Sequence, residues 1–309
     1  MPLVNAGTRI VVGVDGSDTS LGAAKWAAVV AEKLGQPLHV VHSAPKPKRT
    51  SGRGEPSPSQ QLIDSLDAEG VEVLSSAVDA IREHASDIRM TTELDNEPAA
   101  AALLTAANDA TMIVLGATGR GTVERWLLGS TAVRVANQAP CPVVVWRGDP
   151  ADPGPDTRPL VVGIDGSTIS AAATELAFAF ADLLGAPVTA VRSWTDEYAI
   201  GAATPEMLRQ SGPTALLVDW EAVARAEEQH LADILAPFRD RFPGVTVNAV
   251  SSRGSAPREL LRALDDGQLA VVGSRGLGRV AAALLGSTSQ NLLHRADRTV
   301  IVHRDPDAS

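Results

Sequence analysis

The stretch RIVVGVDGS, Arg9 to Ser17, returns 150 residues later as PLVVGIDGS, Pro159 to Ser167. A second stretch, GATGRGTVERWLLGST from Gly116 to Thr131, returns as GSRGLGRVAAALLGST from Gly273 to Thr288 at an offset of 157 residues. Both copies keep the same order, so one unit is written twice, and gene duplication is the simplest account. In each copy a β-branched run leads into Asp-Gly-Ser and then a long alanine-rich stretch, which reads as strand, turn and helix.

Working outward, PLHVVHS (residues 37–43) answers PVTAVRS (residues 187–193) at the first offset, so the inserted residues of the second copy lie beyond this point. Within each half, short Val/Ile/Leu runs alternate with stretches of helical period, the pattern of βαβ units on a buried parallel sheet. The first half predicts strands near 8–14, 37–42, 89–94, 111–115 and 142–146, with helices near 18–34, 59–86, 98–109 and 130–138. Asp18 is the expected cap of the first helix and Gly35-Gln36-Pro37 its stop. The second half repeats this order. Between the halves, RGDPADPGPDTR (residues 147–158) can extend neither sheet nor helix and reads as an exposed linker. The expected division is a domain over 1–148, a linker over 149–158 and a domain over 159–309. The segments 43–59, SAPKPKRTSGRGEPSPS, and 194–212 read as irregular loops.

Composition narrows the function. Of 309 residues, 44% are apolar and 21% charged, an ordinary globular balance that excludes a disordered or fibrous chain. No apolar run approaches the roughly 18 residues of a membrane span, and the N-terminus lacks the layout of a secretory signal, so a soluble, cytoplasmic protein with no membrane partner is expected. A net charge of −10 repels phosphate backbones and argues against nucleic acid. A single cysteine, Cys141, excludes an intrachain disulfide and a thiolate-rich metal site.

The glycine motifs carry the chemistry. Gly116 follows the apolar run of residues 112–115, so Gly-x-x-Gly begins where a parallel strand ends, which is the ligand crevice of an open α/β sheet. Nine residues separate Gly119 from Gly129, and Gly129-Ser130-Thr131 opens a helical run whose first N–H groups have no intrahelical acceptor. Such a helix start binds anions, glycine admits a phosphate close to the backbone, and a hydroxyl adds a donor. Gly273, Gly276, Gly286, Ser287 and Thr288 repeat the set with the same spacing. The bland reading is a tight turn that needs positive φ; duplication at fixed spacing favours a ligand. Asp15 and Asp165 end the first strand of each half, where an acid either caps the next helix or bonds a ligand sugar. Arg120 and Arg275 lie in the glycine loops as secondary phosphate candidates, competing with the reading of solvated charges.

Other chemistries lack their signatures. There is no Gly-x-x-x-x-Gly-Lys-[Ser/Thr] loop for fast phosphoryl transfer, no His-Glu-x-x-His for zinc and no Gly-x-Ser-x-Gly elbow. No metal site is predicted from the six histidines. Cys141 reads as a small buried hydrophobe, residues 221–230 as a solvated helix face, and Trp220 as packing.

The two Gly-x-x-Gly-x9-Gly-Ser motifs, with Val-Gly-x-Asp-Gly-Ser upstream, resemble the universal stress protein family in its tandem, ATP-binding form, over nearly the whole chain. The resemblance implies two similar open parallel five-stranded α/β sheets with helices on both faces, Rossmann-like and arranged as a pseudo-dimer. The edges VVVW (143–146) and TVIVH (299–303) resemble the family's dimerisation edge and are expected to pair. By the same resemblance Gly116, Gly119, Gly129, Ser130 and Thr131 take phosphates and ribose, while Asp15 and the backbone near Ser43 flank the adenine; Gly16, Ser17 and the secondary candidate Arg120 complete the expected nucleotide-binding residues of the first half. Gly273, Arg275, Gly276, Gly286, Ser287, Thr288, Asp165, Gly166, Ser167 and Ser193 form the second set. One departure is visible: where the family often carries His-Ala-x-Cys-Pro before the last strand, this chain has NQAPCP at 137–142 and HRADR at 294–298. The implied function is a nucleotide-dependent sensor of stress or growth that binds ATP, with or without Mg or Mn. An unidentified protein partner and a homodimer of tandem chains are expected, with phosphate binding ordering the 43–59 and 194–212 segments. The alternatives are a slow metal-dependent ATP hydrolase and a scaffold or cyclic AMP binder of the same fold.

Overall fold

The computed structural model describes residues 7–46, 59–119, 128–195, 219–276 and 285–304. Arg120 and most of the 43–59 and 194–212 segments, with the ordering expected of them, lie outside these residues.

In the first half β1 (Arg9–Gly13), α1 (Asp18–Leu34), β2 (Leu38–Ser43), α2 (Gln60–Arg82), β3 (Met90–Asp95), α3 (Ala99–Ala106), β4 (Ala110–Gly116), α4 (Ser130–Gln138) and β5 (Val143–Trp146) follow one another. The second half runs β6 (Leu160–Gly163), α5 (Thr168–Leu184), β7 (Val188–Trp194), α6 (Trp220–Arg241), β8 (Val247–Arg253), α7 (Ala256–Leu264), β9 (Leu269–Gly273), α8 (Ser287–Arg295) and β10 (Thr299–His303).

Local chemistry accounts for the ends. The cap of α1 is Ser17, whose hydroxyl accepts from the Ser20 N–H, so the Asp18 expectation is corrected: its carboxylate sits in the first turn, where it meets the positive end of the helix dipole. Ser167 caps α5 in the same way. Both helices stop at a glycine in the left-handed region, Gly35 and Gly185, each at φ 65°. Helix α2 ends at Arg82, four residues before the expected 86, and the stretch expected as helix to 109 closes with a 3-10 turn at Ala107–Asp109.

All ten strands join one sheet in the order β3-β2-β1-β4-β5-β10-β9-β6-β7-β8. Every pairing within a half is parallel, and the halves meet where β5 and β10 run antiparallel with Val144 opposite Ile301. The expected edge pairing is therefore present inside one chain. Burying the apolar strands Val143–Trp146 and Thr299–His303 against each other removes two edges that would otherwise seek partners.

Side-chain alternation divides the core between the two faces of the sheet. Ile10, Val12 and Val14 pack with α1, α2, α5 and α6 on one face; Val11, Ile113 and Val143 pack with α3, α4, α7 and α8 on the other. Both cores run unbroken across the β5–β10 seam. On the first face Trp26 of α1 stacks on Phe180 of α5, with ring centroids 6.4 Å apart and planes 8° off parallel. The linker is pinned by Gln268, whose amide accepts from the Asp156 N–H and donates to the Arg158 carbonyl at 2.7 Å.

Candidate functional site

Within each half the strand order reverses direction between its first and fourth strands, between β1 and β4 and again between β6 and β9. Neighbouring connections leave to opposite sides at that point, so a crevice opens at the carboxyl ends of the strands. A cavity of about 300 Å³ lies there in the first half and one of about 240 Å³ in the second. Because β5 and β10 are antiparallel, the two cavities open at opposite ends of the strands.

The first cleft gathers Asp15, Ser43, Gly116, Gly119, Gly129, Ser130 and Thr131. The second gathers Asp165, Ser193, Gly273, Arg275, Gly276, Gly286, Ser287 and Thr288. Gly16, Ser17, Gly166 and Ser167 do not line either cavity. Gly16 and Gly166 stand at φ 79° and 85°, turning the chain from strand to helix, and the two serines are the helix caps described above. Asp15 serves that turn: its Oδ1 accepts from the Ser17 N–H at 3.0 Å and the Ser17 hydroxyl at 2.6 Å. Asp165 accepts from the Ser167 N–H at 2.9 Å.

The six motif glycines divide into three kinds. A Cβ on Gly116 would stand 2.8 Å from the Thr19 backbone, and one on Gly273 2.7 Å from the Ile169 side chain, so these two let a helix pack close to the sheet. A Cβ on Gly119 would stand 2.5 Å from Asp15 Oδ2, and Gly276 meets Asp165 in the same way; these two make room for a carboxylate. Gly129 and Gly286 differ. Their φ angles of −64° and −65° suit any residue, and a Cβ would find only ordinary contacts, 3.5 Å to the Ala117 carbonyl oxygen and 3.4 Å to the Arg275 Cα. None of the six needs positive φ, so the tight-turn reading fails for the motif. Neither strain nor protein packing requires glycine at 129 or 286.

Those two residues are also the caps of α4 and α8, and neither cap supplies a side-chain acceptor. The first intrahelical bonds reach Gly129 from Val133 and Gly286 from Gln290, so the N–H groups of the intervening residues point out of the helix start into the cleft. The Ser130, Thr131, Ser287 and Thr288 hydroxyls lie beside them. The arrangement offers donors, a positive dipole end and room for a close approach, which together suit a phosphate.

The opposite wall is apolar and escaped the sequence reading. Val14, Val41, Leu103 and Leu115 line the first cleft, and Ile164, Val191, Leu260 and Val272 hold the matching positions of the second. Such a slot accepts a flat ring. Ser43 at the tip of β2 donates to the Glu97 carbonyl at 2.6 Å, which ties the rim of this slot to the loop after β3.

The remaining candidates are structural. Burial pushes the Cys141 thiol up to about 12, against a smaller opposing hydrogen bond from the backbone of Ile113, so the thiolate is suppressed at neutral pH. Trp220 stacks on Trp194 at 6.4 Å and carries the Arg253 guanidinium 4.0 Å above its ring. The exposed pair Arg225–Glu221 at 3.7 Å marks the solvated face of α6. Among the described residues no three His, Cys, Asp or Glu side chains converge as a metal site, and no helix is long and apolar enough to cross a membrane.

Fold and clefts together define a duplicated doubly wound α/β protein with one anion-ready, ring-sized crevice per half. Comparison with known proteins agrees on the duplicated fold. The Universal stress protein family model matches residues 7–147 and again 157–304. Universal stress protein Rv2005c of Mycobacterium tuberculosis is 36% identical over 305 residues, covering 96% of both chains. Universal stress protein Rv2623 of the same organism is 32% identical over 305 residues, covering 97% of this chain and 98% of that one. The crystal structure of a universal stress protein from Archaeoglobus fulgidus shares the fold at a TM-score of 0.66 and 18% identity, covering 97% of this chain and 99% of that one. The chain belongs to the universal stress protein family, with two family domains in tandem.

Proposed function

We propose that each cleft binds an adenine nucleotide, ATP foremost, and that occupancy serves as a signal in a stress or growth response. The observation that carries this is the pair Gly129 and Gly286: two uncapped helix starts, each with a glycine that the fold itself does not demand. A phosphate seated there fills the need that the protein leaves open, and the apolar wall of each cleft receives the base. The same site fits ATP without a metal, since the donors are backbone N–H groups and hydroxyls.

The test is to purify the protein without added nucleotide, denature it, and identify any released small molecule by mass spectrometry with its ratio to protein. ATP or ADP near two per chain supports the reading. Cyclic AMP would replace the messenger while keeping the site. No released ligand together with no ATP binding in titration overturns the reading in favour of a scaffold.

A second reading rests on the carboxylates of Asp15 and Asp165, which line the clefts beside Gly119 and Gly276. A divalent ion shared between this carboxylate and bound phosphates would support slow hydrolysis. Metal-dependent ADP release that disappears in the Asp15→Ala, Asp165→Ala double variant would establish it.

A further inference from the structure

Three side chains fix the start of α8, and one of them comes from the other half of the chain. Leu285, the residue before the cap, is buried. Its N–H donates to Asn137 Oδ1 at 3.1 Å, and its carbonyl accepts from Gln290 Nε2 at 3.1 Å. The Ser289 hydroxyl donates to the Gly273 carbonyl at 2.6 Å, which ties the first turn of α8 to the end of β9. The cap, Gly286, donates its own N–H to the Ser274 carbonyl at 2.7 Å. Asn137 is itself held in place, because its Nδ2 donates to the Val133 carbonyl at 2.7 Å. Its two partners are a carbonyl and an N–H, so only one orientation of the amide satisfies both, and that one turns Oδ1 to Leu285.

The other end of α8 also rests on the first half. Arg147 follows β5, and its Nη2 donates to the Leu293 carbonyl in the last turn of α8 at 2.7 Å. Carbonyls of a last turn have no partner within the helix, and a cation is favoured at that negative end. The backbone of Arg147 is anchored on β10: its N–H donates to Thr299 Oγ1 at 3.2 Å, and its carbonyl lies 3.1 Å from the same hydroxyl. In α4 the positions of Ser289 and Gln290 are occupied by Ala132 and Val133, whose side chains cannot hydrogen-bond. The position of Asn137 is taken in α8 by His294, which stands exposed. The Ser289 and Gln290 ties are thus particular to the second cleft. N–H groups that converge on one point hold an anion best when they are fixed before it arrives.

We propose that the second cleft is a composite site: Asn137 of the first half is a positioning residue for nucleotide bound there, acting through Leu285, and Arg147 steadies the far end of α8. The proposal rests on the reading that the clefts bind adenine nucleotide. Occupancy of the second cleft and cohesion of the seam then strengthen each other, since both depend on the placement of one helix.

The test is calorimetric titration of the full chain with ATP, with Gly129→Ala isolating the second cleft and Gly286→Ala the first. Asn137→Ala is expected to weaken ATP at the second cleft by about fivefold and to leave the first within about twofold. Arg147→Met should act at the same cleft in the same direction. Asn137→Asp keeps an acceptor for the Leu285 N–H and should restore the second cleft to within about twofold of the unmodified residue. A general loss of stability would neither spare the first cleft nor be rescued in this way. Hydrogen exchange of the Leu285 amide in the unmodified chain, followed by NMR, should slow by about threefold or more when ATP is added, a measurement that needs no variant to fold. Equal weakening of both clefts, no weakening of the second, no rescue by aspartate, or a Leu285 amide indifferent to ATP would overturn the proposal and leave nucleotide binding standing. No binding of ATP to the unmodified chain would overturn the reading beneath it as well.

Discussion

At Gly129 and Gly286 the backbone is relaxed and there is room for a methyl group, so alanine there separates folding from binding. Gly129→Ala and Gly286→Ala should change stability by no more than about 1 kcal/mol, in line with substitutions at helix caps. Each should lower nucleotide affinity at its own cleft by about tenfold or more, because the added Cβ occupies the path of the phosphate. Thermal melting paired with titration checks both halves of the statement. Cys141 supplies a second residue-scale expectation. With its thiol pushed up to about 12 by burial, it should react with a disulfide reagent at pH 8 only as fast as the protein opens, and at full speed after denaturation. Fast reaction in the native state would contradict the packing described here.

Among the elements, α4 and α8 show how one half reaches the other's cleft. Asn137, in the last turn of α4, accepts the Leu285 N–H at 3.1 Å through its Oδ1 while its Nδ2 donates to the Val133 carbonyl at 2.7 Å. Leu285 is the residue before the cap of α8, so a side chain of the first half holds the cleft-facing helix start of the second. Asn137→Ala should remove an acceptor worth about 1 kcal/mol and weaken nucleotide at the second cleft by about fivefold. The first cleft should be unchanged, a contrast that titration of the singly blocked variants would resolve. This bond could not be read from sequence, because it joins residues 148 positions apart across a seam. The strands and helices themselves were legible to within a few residues, since apolar period and the Gly35 stop are local signals. The helix-start side of each cleft was legible for the same reason: Gly, Ser and Thr stand at fixed spacing after a strand. The apolar side was not. Val14, Val41, Leu103 and Leu115 look like core residues in any window, and they become a cleft wall only where the strand order reverses. Gly16 and Ser17 are near the cleft in sequence, and the structure shows them serving the turn and the cap of α1.

For the whole molecule, the β5–β10 seam means that neither half is complete alone. The first domain expressed without the second would expose the Val143–Trp146 edge and leave Trp26 without Phe180. It is expected to self-associate or aggregate rather than remain a monomer, and light scattering of a chain ending at residue 148 checks this. In the full chain, Ile301→Asp would bury a carboxylate in the seam opposite Val144 and cost about 3 kcal/mol or more.

The linker has a consequence for symmetry. In a dimer of identical subunits each contact across the twofold axis occurs twice, and any change in one site is copied into the other. Here the halves are covalently joined and free to drift apart. Trp26 meets Phe180, while the mirrored positions hold Leu176 and Val30; Asn137 reaches Leu285, while the mirrored positions hold His294 and Leu128. A single codon therefore retunes one site and leaves its twin as it was, which no homodimer of half-length chains can do.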